Sequence, residues 1–116
     1  MAVDLIAFQL PETRVNEGSA FSLPVYLRNR ATAAAATPTT IHWRLDCLST
    51  QTTVVDWTSV SAASNFTLAI TGAYNAIVSG SNERETKQVT VKTNSGLDTQ
   101  CVGAVEYIVE NLYGSP

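Results

Sequence analysis

The sequence predicts an all-β antiparallel sandwich of about seven strands, folded as one domain over residues 1–116. Three observations carry that prediction. Apolar residues recur at every second position in short runs, the period of a half-buried strand. Gly, Pro, Asn and Ser break those runs at the spacing of sandwich turns. Ser and Thr patches such as residues 49–53 take the place of charge, which is 15% of the chain against roughly 25% in ordinary globular domains. No 3.6-residue pattern runs longer than about ten residues, so nothing could serve as the crossover helix of a parallel sheet.

The elements follow in order. Residues 3–10 form a first strand that stops at Pro11. Residues 11–18 are polar, and Asn16-Glu17-Gly18 reads as a tight turn because glycine readily takes positive φ. Residues 19–28 align Phe21, Leu23, Val25 and Leu27 on one face. Pro24 within that run cannot donate to a ladder, which predicts an edge strand or a bulge. Residues 29–38 are alanine-rich, too short for a stable helix and truncated by Pro38. They predict a long loop with room for one helical turn.

The clearest strand covers residues 39–48, where Ile41, Trp43, Leu45 and Cys47 alternate with His42, Arg44 and Asp46. One apolar and one ionisable face describe a sheet with a single wet side. Residues 53–60 form a shorter strand around Val55 and Trp57. Residues 65–71 turn Phe66, Leu68 and Ile70 inward before Gly72 interrupts them. Residues 73–78 lead into a polar loop at 79–84, and residues 87–92 centre on Val89 and Val91. Asn94-Ser95-Gly96 is a hairpin turn before the final strand at 99–112. There Cys101, Gly103, Val105, Tyr107 and Val109 share one face. The other, with Val102, Ala104, Glu106, Ile108 and Glu110, is mixed: either covered by a loop or a contact surface around Ile108.

Composition excludes several function classes. Seven scattered Lys and Arg in a chain of net charge -3 give no footprint for nucleic acid. No run approaches the roughly 20 apolar residues that span a bilayer. Met1-Ala2-Val3-Asp4 lacks the basic and apolar regions of an export signal, so a cytosolic origin is expected. Cys47 and Cys101 could form one disulfide, but reduced thiols fit that compartment better.

No catalytic residue, cofactor site or metal site is expected. The lone histidine, His42, has its nearest same-face carboxylate, Asp46, about 13 Å along the strand with Arg44 between them. One His and two distant Cys do not make a zinc site, and the six glycines spell no phosphate-cradling loop. Trp43 alternates inward with Ile41 and Leu45 and reads as core. Trp57 reads either as core or as a surface anchor. Trp57, Tyr74 and Ile108 are therefore the candidate interaction surface.

Two stretches carry a resemblance. Val15-Asn16-Glu17-Gly18-Ser19-Ala20-Phe21-Ser22-Leu23 resembles the V-x-E-G-x-x-x-x-L opening of many immunoglobulin-like domains. Trp43-Arg44-Leu45-Asp46-Cys47-Leu48, Asp56-Trp57-Thr58-Ser59-Val60, Asn75-Ala76-Ile77, residues 83–91 and Glu110-Asn111-Leu112-Tyr113-Gly114 are similar to small immunoglobulin-like virion proteins of tailed bacteriophages. That similarity covers about residues 39–114. It implies an immunoglobulin-like (fibronectin III-like) sandwich acting as a non-enzymatic virion structural protein, made in the bacterial host cytoplasm. Its expected role is a capsid decoration or cement protein on the major capsid protein or other virion proteins, as a homo-oligomer or in many copies on a lattice. A head-to-tail connector or tail component is the alternative, and a carbohydrate-binding module stacking sugars on Trp57 and Tyr74 a third. The cysteines depart from the immunoglobulin pattern, because they do not occupy the two strands that carry its inter-sheet disulfide.

Overall fold

The period-two runs become eight strands: β1 (Leu5–Phe8), β2 (Arg14–Asn16), β3 (Phe21–Arg28), β4 (Ile41–Cys47), β5 (Thr52–Val60), β6 (Asn65–Ile70), β7 (Arg84–Thr93) and β8 (Cys101–Glu110). The structure is a computed structural model and describes residues 2–112. Residue 1, residues 113–116 of the expected domain, and with them Tyr113 and Gly114 of the phage-like segment, lie outside the described residues. One sheet is β1-β3-β6 and the other β2-β8-β7-β4-β5. All pairings are antiparallel except β2 with β8, which run parallel. Among the described residues there is no α-helix, only a 3-10 turn at Gly72–Asn75.

The two sheets enclose one core. Leu23, Val25 and Leu27 of β3, with Leu68 and Ile70 of β6, lie against Ile41, Trp43 and Leu45 of β4, Val89 and Val91 of β7, and Tyr107 and Val109 of β8. Each such side chain contributes about 1.5–3 kcal/mol by leaving water. The alternation expected for residues 39–48 is realised in full, since every odd residue of β4 is buried and every even one half-exposed. β8 likewise turns Tyr107 and Val109 inward, and leaves Val102 outward and 56% exposed.

Three expectations are corrected. Pro24 sits neither on an edge nor in a bulge, because β3 is the middle strand of its sheet and pairs in unbroken register on both sides. The Pro24 carbonyl accepts from the Gln9 amide at 3.0 Å, just beyond the end of β1. A strand residue projects its N–H and C=O to the same side, so the missing donor falls where β1 has already ended. Next, β2 is an eighth strand inside the stretch read as polar turn. Finally, β7 starts at Arg84, three residues earlier than expected.

The alanine-rich loop holds one helical turn, closed by the Ala33 amide on the Asn29 carbonyl at 2.7 Å and ended by Ala33 at φ 58. Ala36 is 4% exposed and bonds the Leu27 carbonyl, which seats the loop on the core.

Gly72 marks a close backbone approach. A Cβ there would collide with the carbonyl of Gly18, itself at φ 77. Gly72→Ala is expected to cost about 1–3 kcal/mol, seen as a lower urea midpoint at unchanged slope. An unchanged midpoint would show that the 16–19 turn does not press on the 3-10 turn.

Candidate functional site

The wet face of β4 carries His42, Arg44 and Asp46, and its neighbours decide what they can do. The register shift between Trp43 and Leu45 in the β4–β5 pairing sets Trp57 on the face opposite Val55, which is this outer face, where it is 36% exposed. The Lys92 ammonium lies 3.9 Å from the Trp57 ring centroid and the Arg44 guanidinium 5.4 Å from it, both as cation–π contacts. Arg44 also grips Asp46 with two bonds of 2.9 and 2.8 Å and donates to Thr53 at 2.7 Å. The nearest carboxylate to His42 along the strand is thus committed to a guanidinium. The Nδ1 atom of His42 is buried and meets no partner among the described residues.

The three residues expected to share a surface are separated. Trp57 is the surface residue, not a core one. Tyr74 lies on the other face of β4, with its ring 6.3 Å from that of Trp43 and tilted 60°. Ile108 shares the outer face with Trp57 but stands three strands across the sheet, about 14 Å off at ordinary strand spacing. It is half-buried between Thr86 of β7 and Arg14 of β2, and Arg14 pairs with Glu110.

The cysteines cannot meet each other. Cys47 pairs with Lys87 and Cys101 with Thr93, six residues apart along β7 and on its two sides. That offset is about 20 Å, far beyond disulfide reach, and both thiols are free. Cys101 borders a hollow of about 480 Å³ that also exposes Asp4 and Asp98. Burial, reinforced by the Asp4 carboxylate, pushes its thiol up, the opposite of what a nucleophilic cysteine needs.

Most of the buried polar chemistry among the described residues lies elsewhere, at the start of β7. Glu85 and Lys87 share the parity of Val89 and Val91 and therefore point into the sandwich, where they are 0% and 1% exposed. The Glu85 carboxylate accepts from the Val78 amide at 2.7 Å, the Ser79 amide at 2.9 Å and the Asn82 side chain at 2.9 Å. Lys87 donates to the carbonyls of Tyr74 and Ala76 at 3.0 and 2.8 Å. Between those two carbonyls sits Asn75, wholly buried, which accepts from the Tyr107 hydroxyl at 2.6 Å and donates to the Ser19 carbonyl at 2.7 Å. One polar cluster thus fastens the entire β6–β7 connection, residues 71–83, to the floor of the core.

The electrostatics suit a fastener. Burial alone would raise the Glu85 carboxyl, but the two backbone amides, the Asn82 amide and the Lys87 charge together outweigh it and hold it below the usual carboxylate range. Burial draws the Lys87 ammonium down against the opposing pull of Cys47 and Glu85. Burial, then Cys47, pushes the Tyr107 phenol up. By its local pattern Lys87 starts a strand and Glu85 lies just outside it. The signal that finds them is parity with Val89 and Val91, because a charged pair in register with a core face needs partners.

No three His, Cys, Asp or Glu residues gather into a metal-binding group among the described residues, and no helix among them is long and apolar enough to cross a membrane. Comparison of the chain with protein-family models, with curated proteins and with solved structures finds no match.

Proposed function

We propose that the chain is an immunoglobulin-like domain serving as a non-enzymatic structural protein of a phage particle, a decoration or cement protein held in many copies on the capsid lattice. The strand order supports the fold half of this reading. In an immunoglobulin-like sandwich the second and fifth strands (B and E) oppose a sheet built from C, F and G, with a tryptophan buried on C. Here β3 and β6 oppose β4, β7 and β8, and β4 carries the buried Trp43. β5 extends that sheet as the C′ strand does in variable-type domains. The first strand is divided, with β1 in one sheet and β2 parallel to β8 in the other. The two free thiols agree with folding in a reducing host cytoplasm.

The observation that carries the functional half is where the polar chemistry goes. Glu85, Lys87, Asn75 and Tyr107 spend their hydrogen bonds fastening the chain to itself. The outer faces offer scattered anchors, Trp57 and Val102, in place of a convergent cleft. A stiff body with adhesive surfaces is what a lattice-bound protein requires, and the resemblance to small phage virion proteins points the same way. The partner in this reading is the major capsid protein. The carbohydrate-binding alternative draws no support from the placement of its two rings, since Lys92 and Arg44 lie over Trp57 while Tyr74 packs beside Trp43.

Quantitative mass spectrometry of purified particles tests the reading. Copies on the order of hundreds per particle are expected for decoration, whereas about a dozen would transfer the protein to a connector or tail ring. Its absence from the particles would overturn both.

A further inference from the structure

The edges of the two sheets are not equally protected. β5 is broken by two register shifts and carries Asp56 and Trp57. β2 is three residues long and starts with Arg14. β1 leans on β8, where the absence of a Cβ on Gly103 admits Ile6. Bulges, charges, shortness and cover are the devices by which proteins blunt a free edge. β6 uses none of them. It pairs with β3 in regular register over six positions, Phe21↔Ile70 to Tyr26↔Asn65, and its other side has no strand neighbour among the described residues. It lies within residues 57–82, which contain no Asp, Glu, Lys or Arg.

Which backbone groups are free follows from the ladder. The Leu27 amide bonds the Ser64 carbonyl at 2.8 Å, so Ser64, Phe66, Leu68 and Ile70 direct their N–H and C=O toward β3. Asn65, Thr67 and Ala69 direct theirs outward, and no bond to those groups is found among the described residues. Their side chains stand on the exposed face, and those of Leu68 and Ile70 in the core.

We infer that β6 is a homotypic docking edge, pairing antiparallel with β6 of a second copy across a twofold axis at Thr67. The three outward-directed residues are symmetric about Thr67, so Thr67 meets its own copy while Asn65 meets Ala69 of the partner chain. Every free donor and acceptor is used, making about six main-chain bonds. The two three-stranded sheets join into one continuous sheet. Phe66, half-buried at the edge, comes opposite the second copy's Leu68 and extends the apolar inner layer. The occupant is a second copy because self-pairing sets the strand beside an identical strand, with Thr67 on the axis against its own copy. A charged strand would repel itself in that arrangement, and this one has no charge to repel. The inference stands apart from the particle reading, since either can fail while the other holds.

Sedimentation equilibrium of the purified full chain, combined with amide hydrogen exchange, tests it. The chain is expected to be a concentration-dependent dimer in which the Asn65, Thr67 and Ala69 amides are protected, and protected less on dilution. Thr67→Lys places two like charges across the axis and is expected to weaken the dimer by about tenfold or more, with a melting temperature unchanged from the parent chain's at dilutions where both are monomeric. Thr67→Pro removes only an outward donor, spares the β3 ladder and acts in the same direction. A chain that stays monomeric at millimolar concentration with those three amides exchanging freely would overturn the inference. So would a dimer that both variants leave intact, or protection of these amides only on adding another particle protein.

Discussion

Trp43→Ala is expected to lower the unfolding free energy by about 3–5 kcal/mol, the range for deleting a buried aromatic ring. Trp43 is 7% exposed in the middle of β4 and belongs to the cluster that joins the two sheets. Its ring also supports Tyr74, 6.3 Å away, in the 3-10 turn that follows β6. Truncation therefore opens a cavity at the point where the core meets the β6–β7 connection, and the strands on either side are pinned by their ladders and cannot close it. Urea titration of the full chain reads the effect, and Trp43→Phe should recover part of the loss. A cost under about 1 kcal/mol would place the ring outside the core and the β4 register in error.

Glu85→Ala is expected to be as severe, about 3–5 kcal/mol, for a different reason. The substitution leaves the Val78 amide, the Ser79 amide and the Asn82 side chain without their acceptor, and removes the negative charge that faces Lys87. Glu85→Gln keeps the shape and one acceptor oxygen, so it costs less and isolates the charge. The pH dependence carries the signature. The folded carboxyl sits below the usual carboxylate range, so between the folded and unfolded pKa values the unfolded chain binds more protons. Stability is therefore fully present above the usual carboxylate range and is lost as the pH falls through the folded value. Glu85→Gln should flatten that acid limb. An acid limb as steep in Glu85→Gln as in the parent chain would mean that another carboxylate carries it.

The sandwich was legible because its longest strands obey the simplest rule. β4 alternates without exception from Ile41 to Cys47, and the burial of β8 follows the face assignment residue by residue. What escaped is non-local. β2 has one inward apolar residue, Val15, and owes its existence to pairing with Val109, more than ninety positions along the chain. No local period encodes such a strand. Pro24 misled because a single-sequence rule knows that the donor is missing but not which neighbour lies on that side, and here β1 ends in time. The start of β7 was hidden by its charges, since Glu85 and Lys87 read as solvated until the 71–83 segment supplies them with backbone partners.

The candidate surface fared differently. Tyr, Trp and an exposed-looking Ile are sound anchors by residue type, but type says nothing of placement. Tyr74 was drawn to Trp43 by the 3-10 turn, and Ile108 was half-covered by β2, the strand the pattern could not show. Trp57 alone stands on an open face, and a bulge between Val55 and Thr58 that leaves no mark in the sequence puts it there.

The strand order underlies the fold, the fastening cluster and the free edge together, and β2 is its most diagnostic element. Cross-strand nuclear Overhauser contacts from residues 13–17 of the full chain test it directly. Contacts are expected between Val15 and Val109, with the Ile108 amide protected by the Thr13 carbonyl at 2.9 Å and the Glu17 amide by the Glu110 carbonyl at 2.9 Å. Contacts from Val15 to β3 or β6 would put the whole N-terminal stretch in one sheet and contradict it.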